Sequence, residues 1–184
     1  MNMDLAKFTT DELIDLYARI PDSLKERDVI RAGNFTGDLG KYIAIQHYNK
    51  TPGLPKLQGV PPVTQNVDAI EHNGKRYSIK ATRSNGTGPF YGLGNSELQQ
   101  IDKQKFEYVV IVQFFKNFKV RRILELSWDQ LLKHKIWRKR IRAWNLGITE
   151  SLLSDARILV DNKEVETSAG CYGEPTDGSR EPHP

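Results

Sequence analysis

Asp68, Ser78 and Lys80 stand in the stretch Asn66-Val-Asp-Ala-Ile-Glu-His-Asn-Gly-Lys-Arg-Tyr-Ser-Ile-Lys80, and their types suit metal-assisted cleavage of a phosphodiester. A carboxylate can hold a divalent cation against a phosphate oxygen, while a nearby ammonium orients or deprotonates the attacking water. For that chemistry Asp68 and Lys80 must converge. The residues between them supply a way, because Val67, Ile70, Tyr77 and Ile79 are β-formers and Asn73-Gly74 is a strong signal for a tight hairpin turn. The pattern predicts strands over 67–71 and 76–82. Side chains alternate faces along a strand, so Ser78 and Lys80 share one face while Tyr77 and Ile79 share the other. The same residues also fit a plainer use, in which Asp68 opens a strand and Lys80 is a solvated edge lysine.

The spacing Asp68-x9-Ser78-Ile79-Lys80 resembles the signature of the PD-(D/E)xK nuclease superfamily. Upstream, Gly37-Asp38-Leu39-Gly40-Lys41-Tyr42-Ile43-Ala44 looks like the first core helix of small bacterial members that open with a Gly-Asp/Glu-x-x-Glu-Tyr pattern. Downstream, Phe106-Glu-Tyr-Val-Val-Ile-Val-Gln-Phe114 and a basic segment keep the order such proteins show, so the resemblance covers roughly residues 28–158. It implies an α/β fold of the restriction-endonuclease-like type, a three-layer core with a central mixed β-sheet flanked by helices. It also implies a Mg2+-dependent (or Mn2+-dependent) DNA endonuclease, restriction being the expected setting. Asp68, Asp38 and the Ile79 carbonyl would hold the metal, Ser78 would occupy the second acidic position, and Lys80 would position the water. Cutting both strands of a duplex would favour a symmetric homodimer.

Two residues depart from that pattern. Ser78 stands where the superfamily carries an acid, and a hydroxyl is a poor Mg2+ ligand, although one branch with glutamine there is still regarded as nucleases. Lys41 stands where similar helices present a glutamate; Asp38, one turn earlier on the same face, is the expected substitute. Both departures point to an alternative, a nuclease-like fold that has lost cleavage and serves as a DNA-binding or protein-binding module.

The charge distribution bears on the partner. The formal net charge is +4, which suits nucleic acid without demanding it. Lys133, Lys135, Arg138, Lys139, Arg140 and Arg142 are interleaved with Ile136, Trp137, Ile141 and Trp144. Trp137, Ile141 and Trp144 recur at helical spacing, which predicts a basic helix over 133–142 with its cations turned outward. Lys135, Arg138, Lys139 and Arg142 are its candidate phosphate contacts. The competing reading is a solvated amphipathic face whose lysine and arginine stems cover apolar surface. Arg83, in the glycine-rich loop 81–94, is a further candidate for a DNA contact, and Phe90 or Tyr91 there fits either a base-packing or a tucked role.

The elements that must position these residues follow from periodicity. Thr9 and Glu12 form a capping-box pattern ahead of Leu13, Leu16, Tyr17 and Ile20, so a first helix is predicted that stops at Pro21. A second is expected over 23–32 and a third from a Thr36 cap to about Tyr48. Prolines 52, 55, 61 and 62 mark residues 49–65 as a surface loop. The nearly continuous apolar run 106–115 predicts a strand buried on both faces, with the next strand over 119–126 and Ser127 capping the basic helix.

With 184 residues and 38% apolar content, one domain over 1–166 is expected. The segment 167–184 reads as a disordered tail. No apolar run approaches membrane length and the amino terminus does not resemble a secretory signal, so a cytoplasmic location is the default. Cys171 is the single cysteine and His47, His72, His134 and His183 show no metal-ligand spacing. There is no Walker or Rossmann glycine loop. Glu97, Asp102 and Glu107 are the remaining acids near the hairpin, each more simply explained by a polar surface.

Overall fold

The computed structural model describes residues 4–31, 34–61, 66–94 and 103–163. The chain runs α1 (Thr10–Glu26), α2 (Phe35–Lys50), β1 (Leu57–Gly59), β2 (Ala69–Glu71), β3 (Arg76–Thr82), β4 (Tyr108–Phe114) and β5 (Val120–Ser127). It continues through α3 (Trp128–His134), β6 (Lys135–Arg138), β7 (Ala143–Leu146), α4 (Glu150–Asp155) and β8 (Arg157–Asp161). Six strands form one mixed sheet in the order β1-β2-β3-β4-β5-β8, in which β3 and β4 are parallel and every other neighbour is antiparallel. The expected α/β class with a mixed sheet and helices is therefore observed.

β4 lies in the middle of the sheet, and Val109, Val110, Ile111, Val112, Gln113 and Phe114 are all buried. That is the physical meaning of an uninterrupted apolar run: both faces of the strand are covered. On one face α2 lays Ala44 and Tyr48, with Leu39 and Ile43, against Tyr77, Ile79, Ala81, Val110 and Val112. On the other, Val109, Ile111, Leu124 and Leu126 meet Phe90, Phe106, Trp128, Leu131, Leu146 and Leu152. Each fully buried aliphatic side chain contributes roughly 1.5–3 kcal/mol, so these two clusters, split by the sheet, hold the fold.

Local signals that need only neighbouring residues were legible. The Thr9–Glu12 capping box opens α1, and Ser127 caps α3 through a second box with Gln130. Glu71 and Gly74 close the β2–β3 hairpin through a Gly74 N–H to Glu71 O bond of 2.9 Å, with Gly74 at a φ of 86°. Lys75 N–H in turn donates to Asn73 Oδ1. The connection is thus a longer loop than the two-residue turn implied by Asn-Gly.

Four expectations are corrected. α1 runs through Pro21 to Glu26 as one helix, since a proline removes one N–H and the flanking residues remain helical. It thus takes in the start of the helix expected over 23–32, and residues 27–31 are not helical. Its Leu13, Tyr17 and Ile20 stay exposed. α2 is capped by Asn34, whose side chain accepts from Gly37 N–H at 3.2 Å, and not by Thr36. The loop 49–65 contains β1, which pairs with β2. Last, the basic helix over 133–142 does not exist: α3 ends at His134, and β6 and β7 form an antiparallel ribbon with Lys135 opposite Leu146 and Trp137 opposite Trp144. A helix would stack Lys135 on Lys139 and Arg138 on Arg142, like charges one turn apart. The ribbon avoids this stacking and pairs the two tryptophans across strands at 5.1 Å between centroids. Helical spacing of 137, 141 and 144 therefore concealed a hairpin.

The tail 167–184, with Cys171 and His183, lies outside the described residues, as do Glu97 and Asp102.

Candidate functional site

Asp68 sits immediately before β2, where the β2–β3 pairing opens. Its N–H donates to Tyr77 O at 2.8 Å, and its carboxylate Oδ2 accepts the Ile79 N–H at 2.7 Å, so the side chain replaces the next rung of the ladder. The N–H and C=O of one strand residue point to the same edge, which directs the Ile79 carbonyl toward the Asp68 side as well. The Ile79 side chain belongs to the core under α2. Asp68 and the Ile79 carbonyl thus share one sheet edge.

The other carboxylate oxygen is taken. Lys41 Nζ lies 2.8 Å from Asp68 Oδ1, joining α2 to the start of β2, with the lysine half-exposed and the aspartate mostly buried. Lys41 is brought there by Gly40: a Cβ at that position would stand 2.2 Å from the Ala81 Cβ. Helix and strand approach this closely because position 40 has no side chain. Asp38, in the first turn of α2, accepts the Arg31 N–H at 2.9 Å. Asp38, Lys41 and Asp68 line one cavity of about 330 Å3, together with Asp28, Arg31 and Tyr42.

Lys80 lies elsewhere. It pairs in register with Ile111, on the sheet face away from α2, and its Nζ stands 4.8 Å above the buried ring of Phe90. Burial pushes the Lys80 pKa down; the Asp68 carboxylate opposes this shift and the Lys41 charge adds to it. The three charged groups therefore sense one another, but among the described residues the ion pair of Asp68 is with Lys41 and none joins it to Lys80. Ser78, on the same face as Lys80, is buried, and its Oγ has no hydrogen-bond partner among the described residues.

The surroundings of the expected Mg2+ ligands decide whether they fit the ion. Mg2+ demands an octahedral shell of oxygens at about 2.1 Å. Asp68 presents one oxygen to an N–H and the other to an ammonium, so a divalent ion at Oδ1 would stand against the Lys41 charge. Asp38 is engaged with Arg31, and Ser78 is sealed beneath the opposite face. Among the described residues no group of three or more His, Cys, Asp or Glu side chains is arranged to hold a metal ion. The donor set as folded does not suit a divalent cation.

The remaining candidates separate. Arg83 donates to Lys116 O at 2.7 Å and stacks 4.4 Å over Phe118, which ties it to the β4–β5 turn. Lys135 stands 4.1 Å over the Trp144 ring, where burial lowers its pKa. Arg138, Lys139 and Arg142 are exposed at the end of the β6–β7 ribbon. Phe90 is tucked into the core and Tyr91 is exposed. Glu107 takes Arg76 through its backbone N–H and guanidinium, at the far end of β3 from Lys80. His134 is paired with Asp155 at 2.7 Å. Lys41 as the partner of Asp68 was missed in the sequence, because the pair joins α2 to the start of β2, segments far apart in the chain.

No helix among the described residues is long and apolar enough to cross a membrane. No protein-family model matches the chain, and no curated protein matches it.

Proposed function

We propose that this chain is a DNA-binding module with a restriction-endonuclease-like fold whose catalytic site has been closed by a lysine. The reading rests on one contact, Lys41 Nζ at 2.8 Å from Asp68 Oδ1. An ammonium now neutralises the carboxylate that a metal would otherwise require, and a fixed internal cation needs no ion from solution. The fold assignment is supported by the β2–β3 hairpin that carries Asp68 and Ser78-Ile79-Lys80, followed by β4 parallel to β3.

In this reading Asp68 is a structural anchor. It completes the edge of β3 through Ile79 N–H and pins α2 through Lys41. Lys80 fills space over Phe90 and does not position a water. DNA affinity comes from the cationic surface on the β6–β7 side of the sheet and follows salt, not divalent metal. A binding module needs no second copy, whereas a cutter of both strands would.

Fluorescence anisotropy with a labelled DNA duplex, with EDTA and with Mg2+, tests the binding; plasmid nicking in Mn2+ tests the chemistry. The expected result is salt-sensitive binding that EDTA leaves unchanged, with no nicking. Mn2+-dependent nicking that disappears in both Asp68→Ala and Lys80→Ala would establish an endonuclease and overturn the proposal. Absence of binding at low salt would remove DNA as the ligand.

A further inference from the structure

We infer that the β6–β7 ribbon is the element that engages duplex DNA, by entering a groove with its tip. The inference rests on the reading of this chain as a DNA-binding module and names where and how that binding occurs.

Charge segregation is the first support. No aspartate or glutamate occurs between Asp129 and Glu150, whereas Lys133, Lys135, Arg138, Lys139, Arg140 and Arg142 all fall in that interval. Residues 138–142, which form the tip, are all exposed and include four of those cations, Arg138, Lys139, Arg140 and Arg142. Like charges held this close repel one another, a cost that a polyanion relieves. The neighbouring loop extends the same character, because no acidic residue lies between Glu71 and Glu97.

Anchoring is the second. That loop is strapped to β7 by the Thr87 N–H to Leu146 O bond of 2.9 Å and the Phe90 N–H to Trp144 O bond of 2.7 Å, and to the residues just after β7 by the Ile148 N–H to Asn85 O bond of 2.8 Å. At the base of the ribbon Lys135 packs on Trp144, and Leu146 is buried in the core. Base and tip are therefore unlike: the base is fixed to the sheet and the tip carries charge into solvent. Arg138 is braced by a 3.2 Å bond from its Nε to Asn145 Oδ1, which lowers the entropy lost on gripping a phosphate.

Shape selects the ligand. Strands of a ribbon lie about 4.8 Å apart, and the DNA major groove, about 12 Å wide, admits a two-stranded ribbon. Single-strand binders instead present aromatic faces for stacking. Here Trp137 and Trp144 pack on each other, and the Trp144 Nε1–H is bonded to Gly94 O. What the ribbon exposes besides cations is Ile136 and Ile141.

The test uses the full chain and a fluorescein-labelled mixed-sequence duplex, titrated over a range of salt. Removing Arg138, Lys139 and Arg140 together by alanine substitution is expected to weaken binding at least about tenfold and to make the log–log salt slope shallower by about 2.7, roughly 0.9 for each of three phosphates no longer neutralised. Arg138→Lys with Arg140→Lys should keep most of the slope. Replacing Arg19, Lys25 and Arg27 near α1 by alanine removes the same charge elsewhere and should change the slope little. Equal losses in the tip and α1 variants, or an unchanged slope in the tip variant, would overturn the inference. So would tip-dependent binding to mixed phosphatidylserine and phosphatidylcholine vesicles without binding to the duplex. Nicking in Mn2+ alongside a tip-dependent salt slope would sink the closed-site reading and leave the ribbon standing.

Discussion

Lys41 on α2 and Asp68 at the head of β2 form an ion pair of 2.8 Å across the opening between helix and sheet edge, and the same carboxylate accepts the Ile79 N–H. Their two roles are unequal. Asp68 satisfies the Ile79 N–H, a backbone donor that no strand among the described residues reaches, while half-exposed Lys41 retains contact with water.

Alanine at position 68 is therefore expected to cost more than alanine at position 41. Loss of Asp68 strands the Ile79 N–H, worth about 1–3 kcal/mol, whereas loss of Lys41 removes a partly solvated pair worth about 1 kcal/mol or less. Urea denaturation of both variants measures the difference. Equal costs would show that the backbone bond contributes nothing.

Lys41→Glu converts the pair into facing carboxylates beside Asp38. Without divalent metal this variant should unfold at lower temperature than the parent through like-charge repulsion. Added Mn2+ should raise its midpoint and leave the parent unchanged. A thermal-shift series reads both, and an equal Mn2+ response in parent and variant would contradict the assignment of Lys41 as the resident cation.

Gly40→Ala places a methyl group 2.2 Å from the Ala81 Cβ. Overpacking of this kind costs about 1–3 kcal/mol, and the double variant with Ala81→Gly should recover most of it. A double-variant cycle by chemical denaturation checks the coupling; failure of Ala81→Gly to rescue would place the strain elsewhere.

The Lys80 ammonium is disfavoured chiefly by burial, so its folded pKa lies below its unfolded value. In the interval between the two the unfolded chain binds more protons, and stability rises with pH. Below the folded pKa the full cost of the buried charge is present. Lys80→Met should thus be at least as stable as the parent near neutrality and should flatten the alkaline rise, as measured by urea midpoints across that range. A variant less stable at neutral pH, with the slope unaltered, would show that the ammonium is favourably held.

Local chemistry was written in the order of residues. Strands β3, β4 and β5 follow from β-branched and aromatic runs, and the Thr9 and Ser127 caps from neighbours three residues on. These features depend on bonds and packing that a short segment makes with itself or with any apolar neighbour. The acid and lysine of the hairpin were likewise visible as types and spacing. Their relationship was not, because a strand's alternation says which residues share a face and leaves open which helix will cover it. Packing of Gly40 on Ala81 brought Lys41 to Asp68, and Phe90, from a loop past β3, came to lie beneath Lys80. The basic segment teaches the same lesson in reverse: its spacing fitted a helix, and only cross-strand pairing of Trp137 with Trp144 and the straps from loop 83–94 to β7 made it a ribbon. Sequence by itself determined which residues carry charge, the central strands β3, β4 and β5, and the caps at Thr9 and Ser127. Tertiary structure decided which charges meet, since ion pairing and burial depend on distances between segments far apart in the chain.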